Sequence, residues 1–216
     1  MNYWRLGIVL MVVSLAQPLF AKSKVQVWTS AGFNYPLSKK VQIGFEEDLR
    51  LENSARDFDA TISDFSLSWR VWQGFNLETG YRFELNEKLK ISALAHRGHV
   101  QGRFKQKLGL LGIVYRLRLQ HRIKESKAFK TIARHQVRLG WNAKAMLSPD
   151  LGLEIFSKDI QSAGLTSEKL RMTAALIWRA TKTHRIRLFY HAHKSLVADN
   201  PLQHVLGLSY RYKFRR

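Results

Sequence analysis

No cysteine occurs anywhere in the 216 residues. That excludes disulfides, a thiolate nucleophile, a zinc thiolate site and a cysteine-borne lipid anchor. Proline is limited to four residues, and no Pro/Gly/Ser-rich stretch divides the chain, so a single domain is expected. Long apolar runs are missing as well. The best of them, Leu6–Leu15, falls short of the ~20 residues that a spanning helix needs. Acidic residues are scarce: Asp and Glu number 16 against 36 Lys and Arg, a formal net charge of +20 and a pI near 10.5.

What is present begins with an export signal. Residues 1–21 combine a charged start at Arg5 with the Leu6–Leu15 apolar stretch, and cleavage is expected after Ala21, with Ser14-Leu15-Ala16 as the alternative cut. Arg5 is the one charged residue of that leader, so the basic excess belongs to the exported chain. Such an excess could serve nucleic acid, an acidic membrane surface or a small anionic solute. Export argues against nucleic acid, and so does the spacing, because Lys and Arg recur at every second position rather than on one patch or helix.

That spacing is the informative feature. Successive strand side chains point to opposite faces, and segment after segment sets apolar residues against polar ones. In 41–52, Val41, Ile43, Phe45, Leu49 and Leu51 oppose Glu46, Asp48 and Arg50. In 112–122, Ile113, Tyr115, Leu117 and Leu119 oppose Arg116, Arg118 and Arg122. In 170–180, Leu170, Met172, Leu176 and Trp178 oppose Arg171 and Arg179, and the closing 204–214 does the same with Leu208, Tyr210 and Tyr212 against Arg211. Segments at 24–35, 61–72, 75–84, 95–105, 131–142, 151–157 and 185–193 complete the series.

Most segments run ~9–11 residues, the length of a tilted strand crossing a bilayer, and Trp or Tyr sits near many of their ends as in an interfacial girdle. Short connections (35–39, 73–74, 106–111, 148–150, 181–184) alternate with longer ones (53–60, 85–94, 124–130, 158–169, 194–203). The expectation is an all-β, transmembrane, antiparallel up-and-down barrel in the outer membrane of a Gram-negative cell, with about 10–12 strands. A soluble periplasmic barrel would alternate too, with its charged face outside. Eleven segments conflict with the even count of bacterial barrels. Ten strands over 41–216, with 22–40 as a first strand or luminal segment, is one resolution, and a twelfth strand within 85–94 is the other. Glu47 falls on the apolar face, where a nearby β-bulge would turn it inward.

Trp28, EEDLRLEN at 46–53, ETGYRF at 78–83, HRGHV at 96–100, YRLRLQHR at 115–122, LEIF at 153–156 and LSYRYKF at 208–214 together resemble a family of bacterial outer-membrane β-barrels known only as a domain of unknown function. The resemblance covers nearly all of the exported chain. It implies a barrel and brings no catalytic or binding residues with it.

The candidate site is the basic inner face. Arg82, Arg116, Arg118, Arg122, Arg134, Arg138, Arg171, Arg179 and Arg187 are expected to point inward, with Glu46, Asp48, Glu52, Glu78, Glu84 and Glu154 as acidic partners. Guanidinium forks bind carboxylates and phosphates, so the lumen could hold or pass a small anionic solute. The competing expectation is an interior filled by ion pairs. The alternative chemistry is a lipid-acting hydrolase in which His193 activates Ser195, the His-x-Ser arrangement of outer-membrane phospholipases. His191 with His193, or His96 with His99, offers only two imidazoles, so no metal is expected, and no motif points to a cofactor. The partners expected are outer-membrane lipid, lipopolysaccharide and the barrel assembly machinery, with no enzymatic activity.

Overall fold

The computed structural model describes residues 25–52, 57–88, 91–124, 127–141, 146–158 and 166–215. The expected leader lies outside these residues. Among them are eleven strands: β1 (Val25–Pro36), β2 (Val41–Glu52), β3 (Asp57–Trp72), β4 (Phe75–Lys88), β5 (Ile91–Leu108), β6 (Leu111–Lys124), β7 (Lys127–Trp141), β8 (Leu147–Lys158), β9 (Thr166–Trp178), β10 (His184–Ser195) and β11 (Gln203–Lys213). Each strand pairs antiparallel with the next in sequence, and the sheet closes by pairing β1 with β11 in parallel.

The closure removes the conflict over strand number. Segment 24–35 is the first strand of the wall and not a luminal segment. It is β1, a wall strand in continuous register with β2 and β11 (Thr29↔Leu49, Thr29↔Leu208). The barrel is therefore neither ten- nor twelve-stranded, and an odd count forces one parallel pair. Ser30 and Ser209 join hydroxyls at 2.8 Å on the inner side of this seam. Outside it, Phe214 packs edge-on against Phe33 and Tyr35 at 5.9 and 5.5 Å, while its N–H donates to the Asn34 carbonyl at 2.9 Å.

Turn chemistry is local. Gly74, with φ of 92°, supplies the left-handed backbone between β3 and β4 that other residues adopt at a cost. Ser38 Oγ accepts from the N–H groups of Lys40 and Val41, and Thr181 Oγ1 accepts from those of Thr183 and His184.

Several long connections are shorter than the sequence pattern suggests. β4 runs to Lys88 with β5 starting at Ile91, and β6 runs to Lys124 with β7 starting at Lys127. Strands thus reach 18 residues in β5, beyond what a bilayer requires. Above the hydrocarbon an outer face need not be apolar, so alternation fades while the hydrogen-bond ladder continues. Residues 148–150 are also strand. Pro149 sits in β8 opposite Leu176 of β9, and pairing with β7 begins only at Asp150↔Gly140, so no ladder bond to β7 is missed.

The apolar face is outside. Phe65, Leu67, Trp69, Val100, Leu119, Leu139, Leu151, Leu176, Leu188, Leu206 and Leu208 are all exposed. A water-soluble barrel would present the opposite face, and this much contiguous hydrocarbon on a soluble surface is an association site. Facing acyl chains it is the low-energy arrangement. Trp72 stacks on Phe75 at 4.4 Å, and with Tyr35, Trp141 and Trp178 they form an aromatic ring at the short-turn end. Outward imidazoles are satisfied by phenols: Tyr115 with His135 at 2.9 Å, His184 with Tyr210 at 2.8 Å, and Tyr81 with His96.

Glu47 stays on that outer face. Its register is unbroken, between Ala31 of β1 and Ser63 of β3, and the β2–β3 bulge falls at Arg50/Leu51, too far along to rotate it.

Candidate functional site

The two-residue strand period carries every charged residue of the alternating face into the interior. Eleven strands leave a wider bore than the eight that side chains alone can fill. The result is a luminal cavity of about 1010 Å³, lined by residues from all eleven strands.

Its charges are grouped around buried acids. Glu154, 1% exposed, receives Arg116 at 2.6 Å, Arg134 at 2.9 Å and Arg171 at 3.3 Å, from strands β6, β7 and β9. Glu78 accepts from Gln101 at 2.7 Å and Ser68 at 2.9 Å, with Arg103 at 3.6 Å and Arg118 at 3.9 Å. Arg118 also donates Nε–H to Gln101 at 2.7 Å, which ties the two strands' polar groups into one chain. Arg122 meets Glu84 at 2.8 Å, and Arg97 meets the same carboxylate. Arg211 pairs with Glu46, and Arg50 lies 3.9 Å from Asp48. A buried ion pair gains little over a hydrophobic isostere, but removing one partner typically costs about 3–5 kcal/mol. These acids hold neighbouring strands in register by holding their arginines.

The expected arginines all face inward. Arg122 alone among them lies off the cavity wall, beside Glu84. Arg179 reaches Ser148, and Arg187 lies 3.8 Å from Asp150. Two acidic partners went unread in the sequence. Asp64 takes Arg82 at 2.7 Å, and Asp150 takes Arg138 in a fork of 3.0 and 2.8 Å. Asp150 was masked by the Ser-Pro-Asp turn signature.

Aromatic residues on the polar parity were the other missed group. Trp28, Phe156 and Phe189 share their faces with Ser30, Glu154 and Arg187, which places them in the lumen. Guanidinium groups cover them: Arg50 lies 4.0 Å and Arg171 5.6 Å from the Trp28 ring, Arg134 4.5 Å from Phe156, and Arg187 4.9 Å from Phe189. An aromatic residue out of phase with its strand was the available signal.

The charge is unequal along the axis. At the short-turn end Lys105, Arg179 and Arg185 lie within electrostatic reach of one another, and Arg138 is near Arg185. Glu52, Asp59 and Glu168 join the wall toward the other end.

The His193–Ser195 pair does not assemble a nucleophile. His193 Nε2 accepts from Arg171 Nε at 2.8 Å, while Ser195 Oγ accepts the Ala198 N–H at 3.2 Å in the following turn. His193 also faces the lumen, away from lipid. His96 and His99, three apart on a strand, point to opposite faces, one to Tyr81 and one toward Glu78. Among the described residues no group of three His, Asp or Glu side chains could hold a metal ion.

A closed sheet with hydrocarbon outside and charge within defines a membrane-spanning β-barrel protein. The chain belongs to the family described as Protein of unknown function (DUF2490), which it matches over residues 25–200. No curated protein matches it in sequence. Among solved structures it is similar to the anion-selective porin from Comamonas acidovorans, at 7% identity and a TM-score of 0.41 over 82% of this chain and 54% of that one. It is also similar to the beta domain of the Bordetella autotransporter Brka, at 11% identity and a TM-score of 0.48 over 84% of this chain and 86% of that one. The chain spans about half the length of the porin it matches.

Proposed function

We propose that this protein is an integral outer-membrane barrel, exported by its N-terminal leader, whose lumen admits small anions and which has no enzymatic activity. The observation that carries the reading is the charge of the cavity wall: fifteen lysine and arginine side chains against nine aspartates and glutamates. Charge imbalance in a low-dielectric enclosure raises the local concentration of counter-ions, and rings of basic side chains select anions in pores. The short-turn mouth gathers Lys105, Arg179 and Arg185 close enough to repel one another, a concentration of positive charge that draws anions in.

Planar-bilayer recording under a potassium chloride gradient tests this directly. The reading expects discrete conductance with a reversal potential on the anion side. A cation-selective channel, or a barrel that conducts nothing, contradicts it. Lipid hydrolysis is disfavoured by the separate hydrogen bonds of His193 and Ser195. A Ser195→Ala variant is expected to behave as the parent in a phospholipid hydrolysis assay.

A further inference from the structure

The donors around Trp28 outnumber their acceptors. The indole Nε1 and the Arg50 Nε are both buried, and neither has a hydrogen-bond acceptor among the described residues. A buried donor left unmade costs about 1–3 kcal/mol. Arg97, Arg116, Arg122 and Arg187 leave a buried Nε unbonded too, but among the described residues only Arg50 does so beside an indole N–H that is also unbonded. Arg50 Cζ lies 4.0 Å from the indole centroid; Asp48 is 3.9 Å from Nη2, and Asp59 and Glu84 lie within electrostatic reach. The Nε/Nη edge of Arg50, the edge that forks onto an oxyanion, is thus barely engaged.

The surrounding rings point the same way. His191 and His193 lie 6.0 and 5.7 Å from Trp28. His193 accepts from Arg171 at Nε2, which assigns its ring proton to Nδ1 and adds a donor to the cluster. Arg171 is anchored from behind by Glu154 at 3.3 Å, so it lends positive charge without being free to leave. All of these side chains line the cavity.

We infer that the Trp28–Arg50–His193 cluster is a binding site for an oxyanion, the carboxylate or phosphate group of a solute inside the lumen. One oxygen accepts from the indole N–H and the other from the Arg50 edge, while Arg171 supplies charge. The inference rests on the anion-admitting reading and adds a discrete, saturable site to it.

Isothermal titration of the detergent-folded barrel with succinate and with inorganic phosphate, at fixed ionic strength with chloride as the background anion, is the test. Saturable one-site binding of either is expected; binding of succinate alone or phosphate alone identifies which group the site takes. Trp28→Phe keeps the ring under Arg50 and removes only the N–H, and Arg50→Gln removes the fork. Each is expected to weaken binding at least tenfold, while Lys39→Gln in the exposed turn between β1 and β2 leaves it unchanged. Heat-modifiable gel mobility confirms that the variants are folded. No saturable binding in the parent, or parent-like affinity in both cluster variants, overturns the site. Anion-selective conductance without saturable binding sinks the site alone, whereas saturable binding without anion conductance sinks the pore and leaves the site standing.

Discussion

Arg138 of β7 and Asp150 of β8, diagonal neighbours across the strand pair, meet in a two-bond fork, Nε to one carboxylate oxygen at 3.0 Å and Nη2 to the other at 2.8 Å. Arg187 of β10 approaches the same carboxylate at 3.8 Å. One acid thus restrains two arginines from strands that are not neighbours. Asp150→Asn leaves both cations without a counter-charge and removes one negative charge from the lumen. The expected outcome is a loss of about 3 kcal/mol in denaturant unfolding, the low end for a buried pair because the Arg138 side chain is 32% exposed, and a reversal potential displaced further toward the anion value. Unchanged selectivity would show that Asp150 does not face the conducting path.

The β10–β11 pairing depends on a missing side chain. Gly207 lies opposite Phe189, whose ring occupies the space where a Cβ would sit. Gly207→Val must displace that ring and the Arg187 guanidinium stacked on it. Overpacking of this kind costs about 1–3 kcal/mol, measurable as a lower unfolding midpoint. Gly98→Ala, at a position with nothing within 4 Å of an added methyl, is expected to leave the midpoint where it was.

The parallel seam can be trapped covalently. Ser30 and Ser209 are register partners whose hydroxyls lie 2.8 Å apart, and the chain has no cysteine to compete. Oxidation of a Ser30→Cys/Ser209→Cys variant is expected to give an intramolecular disulfide and a faster-migrating band on non-reducing gels. Failure to cross-link in the folded barrel would argue for a different closure.

The architecture was legible because a barrel's inside and outside are written at a period of two. Alternation set Leu117, Leu119 and Leu176 on one face and Arg116, Arg118 and Arg171 on the other, and the strand lengths and aromatic ends assigned the first face to lipid. The closure was not legible. Pairing β1 with β11 joins segments at opposite ends of the chain, and nothing local in Val25–Pro36 marks a parallel partner. Glu47 was expected to turn inward on the assumption that a bulge would spare the lipid face a carboxylate. The bulge exists but lies at Arg50/Leu51. Trp28 carries no site signal in the sequence because apolar character marks the outer face, and Trp28 is an aromatic residue on the inner one.

The central claim is that Leu, Val and Trp meet hydrocarbon while the arginine face meets the lumen. Single-cysteine spin labels at Leu176 and Leu208, and at Asn34 and Arg185, test it by collision with oxygen and with a water-soluble nickel chelate in bilayers. The account predicts oxygen-dominated relaxation at Leu176 and Leu208, and chelate-dominated relaxation at Asn34 and Arg185. The opposite assignment, with the leucine positions open to the chelate and the other pair open to oxygen, would contradict it.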